Sequence, residues 1–198
     1  STCTAQVTVV DDEFPVARCQ DITVELDGNG DATITPEDVD YSSSDNCGIY
    51  TSSLNITSFT CAEIGANTVV MTVTDDSGNS STCSATVTVV DSMVPVVVCR
   101  DITVQLIAGA ATITPSDVDY GSSDNCGIYT SSLDITSFTC ADIGDNTVKL
   151  TVTDDYGNTN TCTTTVTVED GVPPVARCQD ITVALGTDGT ADIVPLDV

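Results

Sequence analysis

The sequence predicts an all-β protein, built of β-sandwich modules of about 80 residues that follow one another in tandem as a rod. The first observation behind this is a repeat. Residues 43–65, SSDNCGIYTSSLNITSFTCAEIG, return at 122–144 as SSDNCGIYTSSLDITSFTCADIG, with 21 of 23 residues identical at a lag of 79. Self-similarity at a fixed period marks an array of one structural unit. The second is a hydrophobic period of two: Ile22, Val24 and Leu26 alternate with Thr23 and Glu25, and Val87 and Val89 flank Thr88. Half-buried antiparallel strands read this way. The third is the close spacing of turn signals, Asp27-Gly28-Asn29-Gly30, Asp45-Asn46-Cys47-Gly48 and Asp75-Asp76-Ser77-Gly78-Asn79, as in a sandwich of short strands.

Taken in order, the first repeat is expected to open with a strand over about 17–26, which meets a second (about 31–36) through the DGNG turn. A connecting segment over 37–47 leads to a third strand (about 48–56), with a further strand near 56–60. Two more follow over about 67–74 and 81–90. The second repeat keeps this plan with one residue deleted near 107–110, inside a turn, where an indel costs least. Full repeats are expected over 12–91 and 92–170, with the last strand of a preceding repeat over 1–11 and the first strands of a following one over 171–198. The sequence then reads as a window on a longer array. The linkers Asp11-Asp12-Glu13-Phe14-Pro15, Asp91-Ser92-Met93-Val94-Pro95 and Asp170-Gly171-Val172-Pro173-Pro174 are short and end in proline, so they predict stiff joints.

Composition narrows the function. Thirty Asp and Glu against four Lys and Arg give a net charge of -26, which excludes nucleic acid as a natural partner and disfavours anionic membrane surfaces. No membrane insertion is expected of this segment. Ten cysteines with no histidine and no CxxC predict disulfides in an oxidising compartment, hence an extracellular, secreted or cell-surface location. With no Trp and 4% aromatic residues the core of each module is thin, and staples are expected. Asp outnumbers Glu by 25 to 5, which places short carboxylates in loops, where they form Asx-turns or bind hard cations.

No enzyme is expected. Asp75 and Asp76 are adjacent on a turn and do not face each other across a substrate, and no nucleophile motif appears. The Thr-x-Thr pairs, such as Thr72/Thr74 and Thr151/Thr153, read as solvent faces of strands rather than as an ice-binding plane. The sequons at Asn55 and Asn79 are not kept in the second repeat and carry no repeated role. Tyr41, Tyr50, Tyr120 and Tyr129 are the candidates for an aromatic binding platform, and half-buried strand tyrosines are the plainer expectation.

The x-P-x-x-x-C-x-D-I-T-V opening, the SDN element and the T-V-T-D-x-x-G-N-x-x-x-C-x-x-x-V-x-V ending resemble the hyalin repeat (HYR) domain, an immunoglobulin-like module of extracellular and adhesion proteins. The four-cysteine, Thr-rich form looks like the HYR-like arrays of large secreted surface proteins of gliding marine bacteria. The resemblance covers the full and the partial repeats. The pair Cys47/Cys61 departs from the two-cysteine pattern of the family.

Four cysteines per repeat allow three pairings. In an immunoglobulin-like frame the preferred set is Cys19–Cys83 with Cys47–Cys61, and by repetition Cys99–Cys162 with Cys126–Cys140. Cys19 and Cys83 are expected at similar heights on neighbouring edge strands, and Cys47–Cys61 would close a loop of about 15 residues. A Cys83–Cys99 link fails on reach, because the extended chain between them spans roughly 50 Å while bridged Cα atoms lie within about 7 Å.

The same frame brings two loops and the incoming linker together at one end. At one joint these segments carry Asp11, Asp12, Asp45, Asn46, Asp75, Asp76 and Asn79; at the next they carry Asp91, Asp124, Asn125, Asp154, Asp155 and Asn158. Converging carboxylates without a nearby lysine repel unless a cation sits among them, and Ca²⁺ takes six to eight such oxygens. The alternative is that these are ordinary solvated turns. The expected function is a structural or adhesive array (stalk, spacer or surface filament), stiffened by Ca²⁺ at the joints. Its expected partners are neighbouring repeats and other copies in a filament. The alternative is an adhesion module that binds a surface glycan or protein through its loops.

Overall fold

The computed structural model describes residues 1–192. The first repeat forms strands β1 (Ile22–Glu25), β2 (Asp31–Thr33), β3 (Ile49–Leu54), β4 (Ser58–Thr60), β5 (Gly65–Asp75) and β6 (Ser80–Val90), with a one-turn helix α1 (Pro36–Val39). The second forms β7 (Ile102–Gln105), β8 (Ala110–Thr112), α2 (Pro115–Val118), β9 (Ile128–Leu133), β10 (Ser137–Thr139), β11 (Gly144–Asp154) and β12 (Thr159–Glu169). Each repeat has a four-stranded sheet facing a two-stranded one. The orders are β1-β6-β5-β3 with β2-β4, and β7-β12-β11-β9 with β8-β10. The fold is all-β and immunoglobulin-like in its sandwich layout.

The period of two does the folding work. On β5, Val69, Met71 and Val73 are fully buried while Thr68, Val70 and Thr72 are not, and on β6 Ala85, Val87 and Val89 face the same core. Phe59 from β4, with Ile34 and Val39, closes the layer from the other side. The second core repeats it with Val148, Leu150, Val152, Val166 and Val168 against Phe138, Ile113 and Val118.

Three elements differ from expectation. The first strand is short: residues before β1 make single bridges, Val16 to Ser44 and Cys19 to Asp40, on one side, and the chain then crosses to β6. Because it switches partner, β1 runs parallel to β6, not antiparallel. For the same reason β6 is an interior strand, and of these two strands β1 alone lies at an edge of the sheet, whose other edge is β3. The expected second strand ends at Thr33, since Pro36 opens α1 with Thr35 as its cap. The Asp38 carboxylate accepts the Thr35 N–H at 2.7 Å and its hydroxyl at 2.9 Å, satisfying groups that a helix start leaves open. The single deletion tightens the β7–β8 turn to Ala108-Gly109, with φ of 54° and 82°, the left-handed pair that a two-residue hairpin needs.

Cys19 is bridged to Cys83 and Cys99 to Cys162, with Cα separations of 5.7 and 6.0 Å. The expected Cys47–Cys61 and Cys126–Cys140 bridges do not form. Cys61 is bonded to Cys126, across the two repeats, with a Cα separation of 5.5 Å. Cys47 and Cys140 are free and exposed. The reason is polarity. Cys47 precedes β3 and Cys61 follows β4, so the six residues of β3 separate their ends by roughly 20 Å of extended chain, and a short loop in sequence is a long one in space.

Candidate metal centre

Two clusters of carboxylates form where the strand ends and linkers meet. Asp75 ends β5 and is 1% exposed. Its Oδ1 accepts the N–H groups of Ser77 (2.9 Å) and Asn79 (2.8 Å), and its Oδ2 accepts the Asn79 side-chain amide at 2.8 Å. The Asn79 amide also donates to the Asp11 carbonyl at 3.3 Å, which ties the linker to the turn. Asp154 repeats this at the end of β11: Oδ1 accepts from Tyr156 and Asn158 (2.8 and 2.9 Å), and the Asn158 amide joins Asp154 Oδ2 (2.8 Å) to the Asp91 carbonyl (3.1 Å). The D-D-x-G-N turn is thus an Asx-turn that fixes a buried carboxylate beside the linker.

The second wall is the SDN loop. Asp45 Oδ2 accepts the Cys47 N–H at 2.8 Å, and Asp124 Oδ2 that of Cys126 at 2.9 Å. One carboxylate oxygen from each of Asp11, Asp45 and Asp75 lies within 4.8 Å of the others, and the same holds for Asp91, Asp124 and Asp154. Like charges so placed repel by about 3–4 kcal/mol per pair at an effective dielectric of about 20. Of the four cationic side chains, Arg18, Arg100, Lys149 and Arg177, none belongs to either cluster. Arg100 instead donates to the Asp117 carbonyl and lies over Tyr120.

The two clusters differ in one side chain. Asn125 donates to the Asp27 carbonyl of the first repeat (3.1 Å) and to Asp91 Oδ1 (3.3 Å). Its own Oδ1, and Oδ2 of Asp91, are buried without a hydrogen-bond partner, and Asp91 is 9% exposed. Asn46, its counterpart, is exposed and donates to Glu13 Oε2; Asp11 Oδ2 is the unpartnered atom of its cluster. Buried acceptors normally find a donor. Here Asp91 Oδ2 and Asn125 Oδ1 have none, beside three carboxylate oxygens within 4.8 Å of one another, and oxygen atoms of this kind are what a hard cation would take as ligands. The chemistry fits Ca²⁺ better than zinc, as no imidazole exists in the chain.

The titration of these groups follows their surroundings. Burial pushes the Asp124 carboxyl up, and the charges of Asp91 and Asp154 add to it. Burial acts on Asp75 in the same sense. The Asn79 amide and the backbone N–H groups of Asn79, Gly78 and Ser77 outweigh it, and its pKa falls below the ordinary carboxylate value. The Asp11 carboxylate, as hydrogen-bond partner, raises the Cys47 thiol, helped by burial.

Of the residues singled out in the sequence, Asp12, Asp76 and Asp155 are exposed and outside both clusters, and Asn79 and Asn158 organise carboxylates. Sequence reasoning missed the contact between repeats: Cys61, Gly30 and Asp27 on one side, Asn125, Cys126 and Tyr156 on the other. The Tyr156 hydroxyl donates to the Cys61 carbonyl at 3.1 Å. The signal that could have found it is the substitution of Tyr156 for Ser77 in an otherwise conserved D-D-x-G-N turn.

No protein-family model matches the chain, and no curated protein matches it. Solved structures similar to it include protocadherin gamma B7 extracellular cadherin domains 1–4 (12% identity, TM-score 0.39, 81% of this chain and 52% of that one). Drosophila N-cadherin EC1-4 is similar at 14% identity and TM-score 0.42, over 80% of this chain and 50% of that one. Sidekick-1 immunoglobulin domains 1–4 are similar at 9% identity and TM-score 0.40, over 79% and 49%. The chain spans about half the length of these structures.

Proposed function

We propose that this chain is part of an extracellular, HYR-type array with repeats over 12–91 and 92–170, and that it serves as a stalk, spacer or surface filament stiffened by Ca²⁺ where repeats meet. The observation that carries the reading is Asp91, a linker carboxylate nine-tenths buried, whose Oδ2 has no partner and which sits with Asp124 and Asp154. A cation there would tie the linker, the SDN loop and the D-D-x-G-N turn into one body. Each repeat is held internally by Cys19–Cys83 or Cys99–Cys162, and the two are held to one another by Cys61–Cys126. Such bridges belong to oxidising compartments. The near-identity of the two repeats suits a spacer, in which every copy does the same job.

Titration calorimetry with Ca²⁺ tests it. Binding at the two clusters is expected, with a rise in thermal stability that EDTA reverses; a ligand at 100 times its dissociation constant adds about 2.7 kcal/mol. Absence of bound Ca²⁺ would reduce both clusters to solvated turns and remove the stiffening.

A second reading has an observation of its own. Tyr41, Tyr50, Tyr120 and Tyr129 are 63, 73, 67 and 74% exposed, not half-buried as expected. Exposed tyrosines at matching positions of both repeats suit a glycan or protein ligand. Retention of the chain on a glycan array, lost in a variant with the four changed to Ser, would favour it.

A further inference from the structure

Cys61 of the first repeat holds two of the three segments that make up the Asp91 cluster. Its sulfur is bonded to Cys126, in the loop that carries Asp124. Its carbonyl accepts the Tyr156 hydroxyl at 3.1 Å, from the turn that carries Asp154. Cys61 is itself fixed, at the head of a 3₁₀ turn whose cap, Thr60, has its N–H held by the Glu63 carboxylate at 2.8 Å.

Each tie lies one hydrogen bond from a carboxylate. The Cys126 N–H donates to Asp124 Oδ2 at 2.9 Å, and the Tyr156 N–H to Asp154 Oδ1 at 2.8 Å. Asn125 seats against the first repeat. Its carbonyl oxygen lies 3.6 Å from Cys61 Sγ, and a methyl group on Gly30 would come within 3.1 Å of that oxygen. Its side-chain amide spans the Asp27 carbonyl (3.1 Å) and Asp91 Oδ1 (3.3 Å), so the linker joins the same network. The Asp11 cluster has Ser77 where this one has Tyr156, and its Cys47 is unbridged, so the same chain carries a reference site.

We propose that Ca²⁺ binding at the Asp91 cluster and oxidation of Cys61 with Cys126 are coupled, each strengthening the other, so that thiol–disulfide exchange sets the calcium affinity of this site. The coupling rests on the calcium reading of the cluster. Its physical cause is pre-organisation. With the bridge closed, Asp124 and Asp154 are held beside Asp91 against the repulsion of like charges; with it open, the cation must first order them. Linkage makes the effect reciprocal: a bridge that raises Ca²⁺ affinity is itself made harder to open, by the same factor, when Ca²⁺ is bound. On opening, the S–S bond breaks and two thiols form. The two electrons and two protons come from two small-molecule thiols, which leave as one disulfide.

The test is calorimetric titration of the full chain with Ca²⁺, in which Asp45→Asn isolates the Asp91 cluster and Asp124→Asn the Asp11 cluster. Cys61→Ser/Cys126→Ser is expected to weaken binding at the Asp91 cluster about 5- to 150-fold, the range typical of coupled sites, and to leave the Asp11 cluster as it was. Tyr156→Phe is expected to weaken the Asp91 cluster alone, by less. The reciprocal measurement needs no substitution. The parent is equilibrated in glutathione buffers with saturating Ca²⁺ or with EDTA, and the Cys61–Cys126 peptide is quantified by mass spectrometry after alkylation. Saturating Ca²⁺ is expected to lower the equilibrium constant for opening by a factor of the size found in calorimetry. Unchanged affinity at the Asp91 cluster without the bridge, or an opening constant indifferent to Ca²⁺, overturns the coupling and leaves the calcium reading standing. So does an equal loss at both clusters, which is the mark of a loosened fold. A parent that binds no Ca²⁺ overturns both.

Discussion

Asp154 and Asp124 show how two aspartates a few ångströms apart come to opposite roles. Asp154 caps its own turn, and its removal orphans the Tyr156, Asn158 and amide donors it now accepts. Asp154→Ala should therefore cost about 1–3 kcal/mol for a donor left buried, read by urea unfolding in EDTA, where no cation contributes. Asp124 is raised by burial and by two neighbouring charges. Its charged form is the unfavourable one when folded, so stability is lost as pH rises through the window between the ordinary carboxylate value and the raised one. Asp124→Asn should keep or raise the melting temperature in EDTA at neutral pH and abolish much of the rise produced by Ca²⁺. A variant that melts lower in EDTA and still responds fully to Ca²⁺ would contradict this. Asp75 has the opposite sign: its lowered pKa contributes stability above the ordinary value, which disappears as acid carries the pH down through the folded one.

At the scale of elements, the sheets carry the stability and the exposed strand residues do not. Phe138 on β10 is 1% exposed and fills the layer between the two sheets. Phe138→Ala should cost about 3–5 kcal/mol, while Tyr129→Ser, on the exposed face of β9, should stay within about 0.5 kcal/mol; both are read by urea unfolding. The long strands β5, β6, β11 and β12 were legible because alternation of Val with Thr leaves one face to bury. The first strand was legible only in part. Ile22 to Leu26 alternates in either partnership, and nothing in that pattern tells whether the chain pairs with residues 40–44 or with β6. The helix α1 was missed because four residues are too few for a 3.6 period to register, although Thr35-Pro36-Glu37-Asp38 carries its cap.

For the whole molecule, the contact between repeats is held by the Cys61–Cys126 bridge, and under the proposed calcium reading the Asp91 cluster would add a second restraint of a different kind. With both in place the solution shape should be insensitive to either alone. Small-angle scattering of a Cys61→Ser/Cys126→Ser variant is expected to show a bent or flexible particle in EDTA that straightens in Ca²⁺, while the parent changes little. A variant equally rigid in both would place the stiffness in the prolines and packing of the linker. The repeat, the strand-forming period, the acidic turns and the cysteine-dependent stapling all follow from the sequence alone, because each is a local or periodic property of the chain. The partner of Cys61 does not. Cys61 and Cys126 are separated by 65 residues and Cys19 and Cys83 by 64, so spacing treats a bridge between repeats and one within a repeat alike. Only the tertiary structure decides between them, since pairing depends on which poles of the sandwiches face each other, and that is set by packing across the linker.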